Sequence, residues 1–286
     1  MNTSLNISAG SLRAYQQKLD TISNNVANVN TPGFKRTRQS FTEILANQIN
    51  NQAGAGQEVG RLTPNGIRVG YGTRTGLTQM DTTQGAPMQT DNPFAMMING
   101  SGYFQIGYPS QTGGGALETR YTRDGNFQIS PNSDTPGTYN LVHPNGGYLL
   151  DQNGNPIVLN DQHEVQIQSN GQIFLKNKNT VSGDFISAQR VGIVDIQNPN
   201  LLKNLGGNQY SFDPAALPNG TNQANFVRAM GVNEISVTSG YLEASNVDLA
   251  TEMTELLLTQ RGFQLNARAM TYADQMLGIA NGIIKS

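Results

Sequence analysis

A seven-residue apolar repeat near the C-terminal end constrains the fold more than any other feature of this chain. Leu249, Leu256, Phe263, Met270, Leu277 and Ile284 recur at every seventh position, and Met253, Leu257, Ala267 and Ala280 widen the stripe. Ser245 followed three residues on by Asp248 has the spacing of a capping box, so the pattern predicts a helix from near Asn246 to about Ile284. At 1.5 Å rise per residue that helix is roughly 55 Å long. It carries more apolar stripe than one small domain covers, and it needs a helical partner in this chain or in another copy.

A partner is predicted at the other terminus. Leu5, Leu12, Leu19 and Val26 are spaced by seven, and Ala9, Tyr15, Ile22 and Val29 fill the intervening turns. This helix, over residues 4–29, stops where Pro32 pushes Thr31 away from the α region and where Asn28, Asn30 and Gly33 favour turns.

Between the helices the period changes. From about Gly76 to Gly240, runs such as Phe94–Ile98, Tyr103–Ile106, Tyr148–Leu150, Val165–Ile167, Ile173–Leu175 and Val191–Ile196 are divided by Asn-Gly and Asp-Gly turns. That is the pattern of an all-β domain of many short strands. Residues 45–75 are polar and lack sustained periodicity, which reads as linker, apart from a short alternating run at Ile67-Arg68-Val69 after a Pro64-Asn65-Gly66 turn. A further turn at Asn219-Gly220, near Pro214 and Pro218, is placed where the chain leaves the β domain. The fold class expected is α+β, with a mainly β central domain flanked by long terminal helices that pair as a coiled coil. Its parts are a polymerisation domain of residues 1–34 together with 241–286, an extended linker at 35–75, and the β domain at 76–240.

Charge and composition remove several functions. A net charge of −2 with only 13% charged residues offers no basic face for nucleic acid. Cysteine is absent, so there is neither a disulfide framework nor a thiolate metal site. No apolar run approaches the roughly 18 residues that a membrane span needs. The start, MNTSLNISAGSLRAYQQ, lacks the charged and apolar regions of a cleaved signal peptide, so any export is expected by another route.

Candidate chemistry is equally thin. His143 and His163 have no second ligand at helical spacing and read as exposed turn histidines. Gly100-Ser101-Gly102 lacks the third glycine and following helix of a dinucleotide site, and reads as a hairpin turn. Asp151-Gln-Asn153-Gly154-Asn155 lacks the terminal Glu of a calcium loop and reads as a type I′ turn. Asp81, Asp91, Asp124 and Asp134 read as surface turn residues rather than a carboxylate pair. Lys35, Arg36 and Arg38 follow the first helix, where cations favour the dipole. No catalytic residue, cofactor or metal ligand is expected.

Two terminal stretches carry a resemblance. Asn24-Asn25-Val26-Ala27-Asn28-Val29-Asn30-Thr31-Pro32-Gly33-Phe34-Lys35 closely resembles the N-terminal signature of the flagellar basal-body rod and hook proteins. Gly240-Tyr-Leu-Glu-Ala-Ser-Asn-Val-Asp248, with Glu252-Met253 and Gln260-Arg261-Gly262-Phe263, resembles the family's second signature. Asn92 to Phe104 and Tyr121-Thr122-Arg123-Asp124-Gly125-Asn126-Phe127 are similar to its β-domain motifs, with Met96-Met97 as a departure. The run Leu62 to Gly72 is more loosely similar to the extended segment of the distal-rod branch.

The resemblance implies a structural subunit of the rod, the drive shaft that transmits torque from motor to hook. It implies export through the flagellar type III apparatus without a cleaved signal, and a location in the basal body outside the cytoplasmic membrane. Its partners would be copies of itself, neighbouring rod and hook subunits, and export and assembly chaperones or caps, with neither nucleic acid nor membrane insertion. The residues expected to carry polymerisation are Leu5, Leu12, Leu19, Ile22, Val26, Pro32, Gly33 and Phe34, and Leu249, Met253, Leu256, Gln260, Arg261, Phe263, Met270 and Leu277. Asn24, Asn25, Asn28 and Asn30 are expected to satisfy backbone groups where helix gives way to linker, and Ser245, Asn246 and Asp248 to cap the facing helix. A proximal rod or hook subunit is the alternative within the family. A secreted β-domain binding module, such as a carbohydrate-binding adhesin, is the alternative from another class.

Overall fold

A computed structural model describes residues 2–44, 46–49, 67–109, 117–132, 135–160, 163–177, 185–212, 226–231, 234 and 236–285. Long helices lie at both ends, α1 (Asn2–Ala27) and α2 (Leu249–Lys285), and flank a mainly β middle. The chain divides into two compact units. One consists of Met1–Ala27, Thr37–Gln79 and Asp248–Ser286, the other of Asn28–Arg36 and Met80–Val247. No helix of the described residues is long and apolar enough to cross a membrane.

In the first unit α2 starts three residues later than its sequence suggests. Asp248, not Ser245, is the cap: its Oδ1 accepts the Ala250 amide at 3.1 Å and its Oδ2 the Thr251 hydroxyl at 2.7 Å. Ser245 Oγ instead accepts the Val247 amide, because the residues before it are held extended as a strand. Strands β1 (Thr37–Glu43) and β4 (Thr73–Met80) pair, as do β2 (Ala46–Ile49) and β3 (Ile67–Gly70). The strand-like run expected at Ile67-Arg68-Val69 lies in β3, and β1 falls within the segment expected to be extended; it reads TRQSFTE and is mostly exposed, so its ladder rests on backbone hydrogen bonds and leaves no apolar alternation to find. The turns at Pro64-Asn65-Gly66 and Asn219-Gly220 lie outside the described residues.

The second unit is built on a ten-stranded antiparallel sheet. Its strands are β7 (Tyr103–Pro109), β8 (Leu117–Thr122), β9 (Gln128–Pro131), β10 (Thr138–Val142), β11 (Tyr148–Leu149), β12 (Val158–Asn160), β16 (Ile193–Ile196), β17 (Leu202–Gly206), β18 (Gln209–Phe212) and β19 (Val227–Ala229). The main path runs β12-β10-β11-β7-β8-β18-β17, with β9 on β10, β16 on β7 and β19 on β16. A three-stranded sheet holds β13 (His163–Ile167), β14 (Gln172–Asn177) and β15 (Phe185–Arg190). Two pairs join distant segments: β5 (Pro87–Gln89) with β21 (Tyr241–Glu243), and β6 (Met96–Asn99) with β20 (Ser236–Ser239).

Three local expectations are corrected here. His143 is buried, not exposed, with Nε2 3.2 Å from Asp124 Oδ2 and Nδ1 accepting the Asn145 amide. Asp124 is therefore a partner of that imidazole rather than a free surface carboxylate. Gly100-Ser101-Gly102 does not close a hairpin, since β6 pairs with β20 while β7 pairs with β8, β11 and β16. At residues 151–155 only Gly154 has a positive φ, and its amide donates to Asp151 O, which makes a type I turn followed by a left-handed glycine.

The main core gathers Met96, Ile98, Phe104, Phe127, Leu141, Leu149, Ile157 and Ile173, with Phe104 and Phe127 edge-to-face at 5.2 Å. A second cluster holds Tyr103, Tyr121, Tyr210, Val194, Ile196 and Phe212. Burial raises all three phenols, Tyr103 to about 12 from an ordinary 10. Between those values the unfolded chain releases the proton while the folded chain keeps it. The stability contributed is complete below pH 10 and is lost as pH rises toward 12. Urea titrations at about pH 9 and about pH 11 are expected to show wild type losing about 1.3 kcal/mol more than Tyr103→Phe. Equal losses in the two proteins would contradict this assignment.

Candidate assembly site

Three distant sequence stretches meet on one buried carboxylate in the second unit. Glu243, at the end of β21, places Oε1 2.6 Å from Lys35 Nζ and Oε2 2.6 Å from Arg123 Nε. All three side chains are almost wholly enclosed. The Gly85 amide adds a third donor at 2.9 Å. Two cations against one carboxylate leave a net positive charge, and backbone carbonyls absorb it: Arg123 also donates to Gly100 O and Gly102 O, and Lys35 to Thr83 O at 2.7 Å. Burial lowers the Lys35 pKa, while the hydrogen bond and charge of Glu243 oppose that shift.

The segment after α1 is shaped to reach this cluster. Thr31 and Phe34 amides donate back to Asn28 O and Thr31 O, turning the chain at Pro32, whose carbonyl accepts Asn208 Nδ2 at 2.8 Å. Gly33 then takes a φ of +69° and donates to Glu243 O at 2.7 Å. A Cβ at this position would stand 2.6 Å from the Asp124 amide nitrogen, so only glycine fits. Phe34 is buried, and Lys35 follows it inward. Asn246 ties together two loop segments rather than capping a helix, accepting the Arg36 amide at 2.7 Å and donating to Asp81 O and Thr83 O.

The helical unit has its own polar anchor. Asn25 is buried; its Oδ1 accepts the Thr37 amide at 3.1 Å, and its Nδ2 donates to Thr37 O at 2.9 Å and to Glu252 Oε2 of α2 at 3.3 Å. Farther along, Lys18 lies 3.6 Å from Glu255, and Gly262 is so near the Tyr15 ring that a Cβ would meet it at 2.7 Å. Ile22 is buried, and Leu5, Leu12, Leu19 and Val26 are half-buried. On α2, Leu256, Phe263, Met270 and Leu277 are half-buried, whereas Leu249, Met253, Gln260 and Arg261 are exposed. Asn25 bonds backbone groups of Thr37 as expected of these asparagines, while the Asn28 side chain accepts the Thr31 hydroxyl at 3.2 Å.

Sequence reasoning missed a second stripe on α2. Leu258, Leu265, Tyr272 and Ile279 recur by seven, joined by Met276 and Ile283, and each is at least 62% exposed. Two residues on from the half-buried repeat is about 200° around a helix, so this stripe lies on the opposite face. It also missed Lys35, Arg123, Glu243 and Glu252 as contact residues. The available signal was charge set among small and apolar residues inside the quoted motifs.

Each arm of the carboxylate cluster lies in a segment matched by a known family. Residues 5–35 match the flagella basal body rod protein family, residues 97–175 the flagellar hook protein FlgE/F/G D1 domain, and residues 238–283 the flagellar basal body rod FlgEFG protein C-terminal family. Whole-length similarity agrees. The chain is 35% identical over 268 residues to the flagellar basal-body rod protein FlgG of Bacillus subtilis (strain 168), covering 93% of each. It is 32% identical over 279 residues to the flagellar hook-basal body complex protein FlhP of the same organism, covering 95% of this chain and 96% of that one.

The chain belongs to the flagellar basal-body rod family.

A third member of the rod family, FlgG of Caulobacter vibrioides, is 33% identical over 276 residues and covered over 96% of both lengths. Placing the three matched segments on the structure brings Lys35, Arg123 and Glu243 together in this family member. Replacing Glu243 by Gln removes the carboxylate that pairs two buried cations, and a loss of roughly 3–5 kcal/mol is expected in urea unfolding of the full chain. Gly33→Ala combines a strained φ with a backbone collision and is expected to cost at least about 1 kcal/mol. An alanine variant as stable as wild type would refute the close approach at Asp124.

Proposed function

We propose that this chain is a structural subunit of the bacterial flagellar rod, of the distal branch, and that it polymerises through α1 and α2 into the shaft that carries torque to the hook. The observation that carries the polymerisation is the outward stripe of α2. Six large apolar side chains at heptad spacing, opposite the face turned to α1, demand a helical neighbour. On this reading α1 and α2 pair as a coiled coil within the subunit, and residues 1–34 with 241–286 form the polymerisation domain. Residues 35–75 act as the extended segment and 76–240 as the β domain. A head-to-tail contact that does not close on itself generates a helical filament.

Neighbouring rod and hook subunits above and below, and export through the flagellar type III apparatus with its chaperones, follow from the family. The family is structural, and no enzymatic step is assigned to the chain.

The test is a double substitution, Leu265→Glu with Ile279→Glu, expressed in place of the wild-type chain. Both side chains are exposed in the single subunit, so its unfolding midpoint is expected to stay within about 0.5 kcal/mol of wild type. Burying two apolar side chains stabilises an interface by roughly 3–6 kcal/mol, and the variant forfeits this and places charge there instead. Purified hook–basal bodies are expected to lack the variant by mass spectrometry, with loss of motility. Normal incorporation of a folded variant would remove the stripe from the assembly.

A further inference from the structure

One face of the ten-stranded sheet carries a polar groove that polymerisation through the helices leaves unexplained. It has a volume of about 380 Å³ and is lined by Ser130, Asn132, Asn140, Val142, Gly146 and Tyr148 among others. The strand register puts its parts on one face. Asn140 lies opposite Ser130, and Val142 opposite Tyr148, while Leu141 between them points into the core. Within that groove Asn140 is buried, and its Oδ1 has no hydrogen-bond partner among the described residues. Buried amides are nearly always satisfied, and an unpartnered one on a residue that lines a groove calls for a ligand group that reaches it when the side chain turns toward the groove.

We propose that this groove is a binding subsite for a neutral saccharide. A carboxamide offers a donor and an acceptor side by side, which matches adjacent sugar hydroxyls. The half-buried Tyr148 ring and Val142 supply an apolar platform for the C–H face of a pyranose, and the Ser130 hydroxyl and Asn132 amide stand at the rim. None of the described lining residues is charged, which disfavours an anionic ligand. An extended peptide fits less well, because the lining comes from side chains on the sheet face, whereas peptides add at a strand edge through backbone hydrogen bonds.

The experiment uses the full chain with cellotriose and with triacetylchitotriose as probes, read by saturation-transfer NMR at about 10 mM sugar, a range suited to millimolar affinity. Transfer to at least one sugar is expected in wild type. Asn140→Ala is expected to weaken it at least tenfold, and Tyr148→Ala likewise. Removing an amide that no protein group satisfies is expected to leave the thermal midpoint of Asn140→Ala unchanged or raised, which separates lost binding from lost fold. Absence of transfer to either sugar, or transfer undiminished in Asn140→Ala, would overturn the subsite. A lowered midpoint in that variant would overturn its premise, by showing that the folded chain already satisfies the amide.

Discussion

A carboxylate held between two cations away from water is favourable only when every partner is in place. Desolvating the charges costs several kcal/mol each, and removing one member leaves the others uncompensated. Glu243 sits at the end of a three-residue strand, Lys35 just past a proline turn, and Arg123 just after β8, and none of these positions has enough local structure to fix itself. The ion cluster supplies what propensity does not. Any misdocking of the 28–36 segment would strand Lys35 in the interior, so the way the chain leaves α1 is dictated by charge satisfaction. Gly33 and Asn246 serve the same end, since one admits the backbone and the other ties the Arg36 amide to the segment at Asp81 and Thr83.

This dependence explains which parts of the structure were legible in the sequence. Both helices were, because a heptad repeat is local and its spacing is written in consecutive residues. Most strands between 94 and 196 were, because apolar runs between Gly-containing turns mark them. The cluster was not, because its members are 208 and 120 residues apart and nothing in spacing joins them. His143 was misread for a related reason: a turn position is usually wet, but this imidazole is closed over by Asp124 and Phe127. Strand β1 falls in the segment expected as linker because Thr, Arg, Gln and Ser form a ladder without any apolar periodicity.

The α2 helix shows how a correct period can hide half of its content. Reading every seventh residue from Leu249 finds one seam, and the structure exposes Leu249 but half-buries Leu256, Phe263, Met270 and Leu277. Reading from Leu258 finds another on the far side. One helix 37 residues long thus offers two apolar faces, and α1, with 26 residues, accounts for at most one. A surface helix of an ordinary globular protein has a polar back, and a helix without one is destined to be surrounded.

The composition of the inner seam points the same way. Positions Glu252, Leu256, Thr259, Phe263, Asn266, Met270, Ala273, Leu277 and Ala280 alternate by four and three along the face nearest α1. Three of these nine are polar, and Glu252 and Thr259 are the two most deeply buried. Polar groups in such a seam fix register at a cost in stability. Asn25, which holds Thr37 with its amide oxygen and Glu252 with its amide nitrogen, fits that role. On the proposed coiled coil, these polar groups add specificity between α1 and α2 in place of apolar burial. On the proposed assembly, the missing stabilisation comes from the outer stripe meeting other copies, so that subunits become rigid in the filament and remain easier to unfold before it. A drive shaft built from such parts gains stiffness at the moment of incorporation, because the same burial that adds a subunit also orders it.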